Sequence, residues 1–341
     1  MKKRTLAIVA VIVAALGGGL IALGEAALAP PSGIPAGGSL FEVKKGESTS
    51  ALAARLEREG VIRSGLAFAW VARVRGETAS LRSGTYRLDP GMGTMAVLRR
   101  IVEGRESLQK ITIPEGLSLK ETAELLEKEG IAPADEFEKD AKDPALLATI
   151  GIPGDSAEGY LFPDTYFMPR NYGALSALKE LVTTFKSKLA SIPETVGLDA
   201  KAIREKVILA SIIEKEYRIP EEAPVIASVF DNRLRIGMGL QSCATVVYVI
   251  TERLGKPHPD IVYDKDLRLQ DPFNTYIHRG LPPAPISSPG LVALRAAFEP
   301  ATTKYLYFRL VDPVVGTHHF SITFDEHLRA GQLVLKRTSS S

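Results

Sequence analysis

The chain has 341 residues, 45% of them hydrophobic and 24% charged, which is enough to bury more than one compact core. Its 42 basic and 40 acidic residues leave a net charge of +2, without the basic field that nucleic-acid binding relies on, so nucleic acid is excluded as a partner. The single cysteine, Cys243, excludes an intrachain disulfide framework and any cysteine-built metal site.

Residues 1–4, MKKR, precede an uncharged apolar run at 5–24, TLAIVAVIVAALGGGLIALG, long enough to span a bilayer as a helix. A cleaved signal peptide would have a shorter apolar core, and Pro30 directly follows the small residues Ala27-Leu28-Ala29, so a retained anchor is expected. Lys2, Lys3 and Arg4 then stay in the cytoplasm, and everything after residue 25 lies on the far side of the membrane. A lone cysteine suits an oxidising compartment of that kind. Residues 25–40 are rich in Pro, Gly, Ala and Ser and read as a tether.

An internal repeat follows. FEVKKGESTSALAARLEREGVI (41–62) and ITIPEGLSLKETAELLEKEGI (111–131) align without a gap, and a weaker copy runs through YRLDPGMGTMAVLRRIVEG (86–104). Each copy predicts a short strand, a glycine turn, an amphipathic helix opened by Ser or Gly, and a closing glycine. Ser118 and Glu121 form a capping-box pattern. The units read as a packed scaffold over 41–144, and they also resemble LysM modules, which bind glycans containing N-acetylglucosamine.

The texture changes near residue 145, and 145–341 reads as one mixed α/β domain. Helices are predicted around 174–190, 201–217 and 220–238, with a polar turn GLQS after the last. A loop-rich stretch covers 271–290, and 304–311 and 318–324 have strand character. Five aromatics crowd EGYLFPDTYFMPRNY (158–172), which suits either core packing or a surface against which sugar rings stack. The expected class is therefore α+β: a transmembrane helix, LysM-like strand-turn-helix repeats, then the mixed domain.

The candidate chemistry centres on VILASIIEKEY (207–217). At about 100° per residue, Glu214 and Glu216 point in nearly opposite directions and cannot serve one site together. Glu216 shares a face with Leu209, Ile212 and Ile213. Desolvation by that wall would raise its pKa, as a carboxyl that must stay protonated near neutrality requires. Glu214 faces the smaller Val207, Ala210 and Ser211, which suits a structural partner for a neighbouring base. Periodicity alone leaves open that Glu216 simply bends into solvent at the helix end. His318 and His319 face opposite sides of a strand, so neither a metal nor any cofactor is expected.

EGYLFPDTY, LASIIEKE, SVFDNRLRIGMGLQ, NTYIHRGLPP, PISSPG and YLYF together resemble the MltG (YceG-like) endolytic murein transglycosylases, across nearly the whole chain. The resemblance implies a protein held in the bacterial inner membrane by one span, with its body in the periplasm. It further implies cleavage within nascent peptidoglycan strands, which limits their length, and glycan synthases of the same membrane as partners. The family's catalytic acid is the second glutamate of a Glu-x-Glu helix motif, here Glu216, the residue chosen by the face argument. The reaction expected is cleavage of the β-1,4 bond between N-acetylmuramic acid and N-acetylglucosamine, closing a 1,6-anhydro ring. Gln241, Asn274 and Tyr276 are the residues expected to position sugar.

One departure is visible: relatives commonly read LQTDPTV where this chain has LQSCATV, so Cys243 and Ala244 replace Asp and Pro. Two rival readings remain. A muramidase would need a base for water, with Asp164, Asp231 and Asp271 as candidates, and a non-catalytic glycan-binding scaffold would need none.

Overall fold

A computed structural model describes residues 24–31, 38–104 and 108–338, with 332–338 described by backbone alone. The apolar run expected to anchor the chain, 5–24, lies outside the described residues apart from Gly24. Among the described residues no helix is long and apolar enough to cross a membrane. The chain divides into two compact units, Met1–Lys110 with Phe167–Arg170, and Ile111–Tyr166 with Asn171–Ser341.

In the first unit, β1 (Ser39–Val43) leads to α1 (Thr49–Arg58) and α2 (Gly65–Val74), and β2 (Gly84–Leu88) leads to α3 (Thr94–Glu103). β1 and β2 pair antiparallel with Phe41 opposite Tyr86, and β2 meets β3 (Leu108–Thr112) at Thr85 and Leu108. The sheet runs in the order β1-β2-β3-β4, its last strand being β4 (Thr165–Pro169). Period-two alternation turns Phe41, Val43, Tyr86 and Leu88 inward, where they join Leu52, Leu56, Leu98 and Ile101 in one buried cluster. Burial of such side chains stabilises the unit by roughly 1.5–3 kcal/mol each, before conformational entropy is counted.

The second unit is α+β. It contains α4 (Leu119–Lys128), α5 (Ala134–Asp140), α6 (Pro144–Thr149), α7 (Ala174–Ala190), α8 (Ala200–Glu216) and α9 (Ala223–Arg235). There follow α10 (Cys243–Tyr248), which runs into a π-helical turn at Val249–Arg253, then α11 (Leu291–Phe298), an antiparallel pair β5 (Tyr307–Asp312) and β6 (Thr317–Ser321), and α12 (Phe324–Thr338). α8, α9 and α11 pack against one another at the centre, and α12 covers β5.

All three strand-turn-helix units are present, with left-handed glycines at the turns (Gly46, Gly91, Gly116). The capping box forms in both directions: Ser118 Oγ accepts the Glu121 amide at 3.1 Å, and a Glu121 carboxylate oxygen accepts the Ser118 amide at 2.8 Å. The third copy, 111–131, belongs to the second unit, although the sequence texture changes only near 145. Packing accounts for this. Both carboxylate oxygens of Glu158 accept the first amide of α4, that of Leu119, at 3.0 Å. The aromatic segment is mostly core: Tyr160, Phe162 and Tyr166 are buried, and Tyr160 meets Phe185 edge-on at 5.1 Å between ring centroids.

Candidate active site

α8 begins with Asp199 capping the Ala202 amide at 2.7 Å and ends at Glu216. Every residue from Val207 to Ile213 is buried, so the helix is enclosed all round and carries no single apolar wall. That corrects the expectation drawn from one face. Both terminal glutamates stand in crowded surroundings, and burial raises the pKa of both.

Glu214 is raised to about 7 by burial, reinforced by the nearby Glu115 carboxyl and opposed by the Gly290 amide, the Tyr217 hydroxyl and Lys215. The Gly290 amide donates to its Oε2 at 2.8 Å and Tyr217 Oη to its Oε1 at 3.4 Å. Among the described residues no basic side chain forms an ion pair with it: Lys215 Nζ donates instead to the Gly116 carbonyl at 3.0 Å. Glu214 thus fastens α8 to the PISSPG segment. The same segment is held by Ser211, whose Oγ accepts the Ile286 amide at 3.0 Å and whose carbonyl accepts Ser287 Oγ at 3.0 Å.

Glu216 keeps partial solvent access, yet protein crowds its carboxyl and burial raises its pKa. Opposing that rise are the Ser242 hydroxyl, which donates to Oε1 at 2.5 Å, and then the electrostatic influence of His318, Arg233 and Arg218. Each of these groups comes from a different place in the chain. Arg233, on α9, is buried and donates from Nε to the Leu306 carbonyl and from Nη1 to the Leu240 carbonyl, both at 2.6 Å. It therefore joins α9 to the turn before α10 and to the approach to β5. His318, on β6, is gripped by Glu222: Nδ1 lies 2.6 Å from Oε2, and its amide donates to the same carboxylate at 3.0 and 3.1 Å. His319 on the same strand is exposed, as the alternation requires. Among the described residues no group of three or more His, Cys, Asp or Glu side chains is placed to hold a metal ion.

The turn before α10 brings the remaining groups in. Gln241 adopts a left-handed backbone with φ 51°, uncommon for a residue other than glycine, and its side chain is exposed. Tyr276 Oη lies 3.0 Å from Cys243 Sγ, and burial, Cys243 and the charge of Glu216 all push the phenol's pKa upward. Gln241 and Tyr276 thus flank Ser242, the partner of Glu216. Asn274 differs from them: it is fully buried and its Nδ2 donates to the Leu267 and Leu269 carbonyls at 3.0 and 2.9 Å. Its Oδ1 accepts the Tyr276 amide at 3.0 Å, so the geometry makes it a brace for the loop that presents Tyr276.

Three contributors were not singled out in the sequence. Ser242 was visible only as part of a polar turn, and His318 only as one of two adjacent histidines. Glu222 carried no signal, because its partner lies 96 residues away. Of the aspartates considered as bases, each is committed to a cation: Asp164 to Lys188 at 3.1 Å, Asp231 to Arg235 at 3.3 Å and Asp271 to Arg253 at 2.5 Å.

Known proteins share this arrangement of chain. An endolytic murein transglycosylase of Bacillus subtilis is 31% identical over 309 residues, covering 85% of this chain and 83% of its own length. One from Streptococcus pneumoniae is 28% identical and covers 84% of this chain, which spans 56% of that longer protein. The crystal structure of a YceG-like protein from Listeria monocytogenes superposes with a TM-score of 0.57 at 30% identity, covering 85% of this chain and 98% of the other. The YceG-like family model matches residues 41–332, and the chain therefore belongs to the YceG-like family.

Proposed function

We propose that the protein is an endolytic lytic transglycosylase of peptidoglycan, with Glu216 as its acid and then its base. The observation that carries this reading is the crowded carboxyl of Glu216, its pKa raised by burial, with the Ser242 hydroxyl on one oxygen and Arg233 and Arg218 nearby. Protonated Glu216 gives its proton to the glycosidic oxygen between N-acetylmuramic acid and N-acetylglucosamine as the bond to C1 breaks. Its carboxylate then takes the proton of the muramoyl C6 hydroxyl while that oxygen bonds to C1. The acid is regenerated and no water is consumed, so one carboxyl suffices. The N-acetyl group of the substrate assists at C1. Exposed Gln241 and half-buried Tyr276 are the side chains best placed on the turn and loop to position sugar.

The test is product mass from purified glycan strands. The anhydro product is lighter by one water than a hydrolytic one, and Glu216→Gln is expected to abolish release while binding persists. Unchanged release by that variant overturns the assignment. A second reading, a muramidase, is favoured by one feature, the His318–Glu222 pair, since an imidazole so oriented is able to activate water. Reducing-end products would select it. A glycan-binding scaffold would release nothing.

The same reading extends to location and partners. Residues 5–24 serve as a single membrane span, placing the body in the periplasm beside nascent strands, with the limitation of strand length as the outcome. The strand-turn-helix units act as LysM-like glycan contacts, and synthases of the same membrane are the partners expected. Fractionation of cells, and pull-down of glycan by residues 38–110, test the first two of these statements.

A further inference from the structure

We propose that Ser242 is a positioning residue for Glu216, whose hydroxyl holds Oε1 in one place through both protonation states and leaves Oε2 to give and take the proton. The inference rests on the acid role proposed for Glu216.

The contact is short, 2.5 Å between Ser242 Oγ and Glu216 Oε1, within the range of an O–H donor on a carboxylate. Ser242 is only 2% exposed, so no bulk water competes for its proton. Its backbone is fixed on both sides. The amide donates to Thr275 Oγ1 at 3.1 Å, and the carbonyl accepts Thr245 Oγ1 at 2.7 Å and the Thr245 amide at 3.2 Å. The two threonine hydroxyls meet each other at 2.9 Å, and the Gln241 amide donates to the Thr275 carbonyl at 3.2 Å. A buried web of hydroxyls therefore fixes the backbone from which the Ser242 hydroxyl reaches Glu216. The left-handed Gln241 turns the chain so that the next residue points inward.

The chemistry requires such a partner. While Glu216 is protonated, the serine donates to the carbonyl oxygen and the acidic proton sits on the other oxygen. Once the proton has gone, a crowded carboxylate with little access to water must be kept in place, and the same donor serves it unmoved. The other groups around Glu216 come from several elements. Arg218 lies just beyond α8, Arg233 is on α9, His318 with Glu222 behind it is on β6, and Tyr276 with Cys243 comes from the loop and the turn.

The test measures kcat and kcat/KM against pH for the full-length protein and its Ser242→Ala and Ser242→Thr variants, with Glu216→Gln alongside. Loss of the donor removes a bond that favours the ionised form. The alkaline limb of kcat/KM is therefore expected to move to higher pH in Ser242→Ala, with kcat lower by about ten- to a hundredfold. Ser242→Thr keeps the hydroxyl and is expected to restore the wild-type limb. Should Ser242→Ala not fold, as judged by circular dichroism, Ser242→Cys replaces it. Its thiol is a poor donor of similar size, and the same upward shift is expected. A pH profile that superimposes on wild type in the donor-free variant overturns the proposal while leaving Glu216 intact. Full activity of Glu216→Gln instead overturns the acid assignment on which it stands.

Discussion

Glu158 and Glu216 are both carboxyls driven toward the neutral form by burial, and their surroundings set them to different tasks. Glu158 is 4% exposed, with its pKa raised to about 8 by burial, and it receives the first amide of α4. An unfolded chain ionises this group near 4.5, whereas the folded protein keeps the proton until about 8. Its contribution to stability is thus complete at low pH and is lost as pH climbs through that interval. Glu158→Gln is expected to flatten the fall, narrowing the difference between pH 5 and pH 8 by on the order of 3–5 kcal/mol in urea titrations. Glu216 is expected to act on turnover: kcat/KM should decline on the alkaline side as its raised pKa is passed, which a pH-rate profile reads directly. At this scale the sequence was informative where a residue's neighbours are helical neighbours. The 3.6-residue period separates Glu216 from Glu214, but burial all round α8 means that it does not by itself choose between them. The crowding of Glu214 was hidden, because residues 115 and 290, far away in sequence, create it. The same holds for the grip of Glu222 on His318.

At the level of elements, the turn before α10 and the loop after it behave differently, although both are polar and rich in hydrogen-bonding residues. Asn274 is internal to its loop, and Asn274→Ala would take away the side-chain partner of the Leu267 carbonyl and of the Tyr276 amide, while the Leu269 carbonyl keeps the Asp271 amide. The expected destabilisation is about 2–3 kcal/mol, seen as a lower urea midpoint. Gln241 is external and strained, with φ 51°. Gln241→Gly is expected to stabilise the protein by about 1 kcal/mol while raising KM for glycan, separating the backbone's role from the side chain's. Two glycines make a similar contrast. Gly159 has φ 84° and a Cβ there would come within 2.4 Å of Pro285 Cβ, whereas Gly130, at φ 68°, faces open space. Gly159→Ala should therefore cost about 3 kcal/mol or more and Gly130→Ala about 1 kcal/mol, compared by thermal or urea unfolding. Helix α7 occupies the predicted 174–190, and α8 is displaced by one residue from 201–217, because caps and periodicity are local signals. α9 is shorter than the predicted 220–238, since Pro220 opens a separate 3-10 turn. The internal commitments of the 271–290 loop could not be read, since nothing in the composition of an asparagine says which carbonyls it will meet.

Over the whole molecule, the three strand-turn-helix copies look equivalent in sequence and yet are shared between two units, with the division at Lys110 and Ile111. Repetition is a property of the local pattern, while membership of a core is decided by long-range partners such as Glu158, which no alignment of the copies reveals. A chain ending at Lys110 is expected to keep β1 and β2 paired but to self-associate with rising concentration, as sedimentation velocity would register. The reason lies in β4, which completes the first unit's sheet although it is encoded after α4, α5 and α6. A ribosome delivers the chain in order, so β3 waits with an open edge while those three helices are still being made. The interval of greatest exposure to chaperones and to misassembly therefore falls between residues 112 and 165, and a pause in synthesis there would be more harmful than one after β4 has been made.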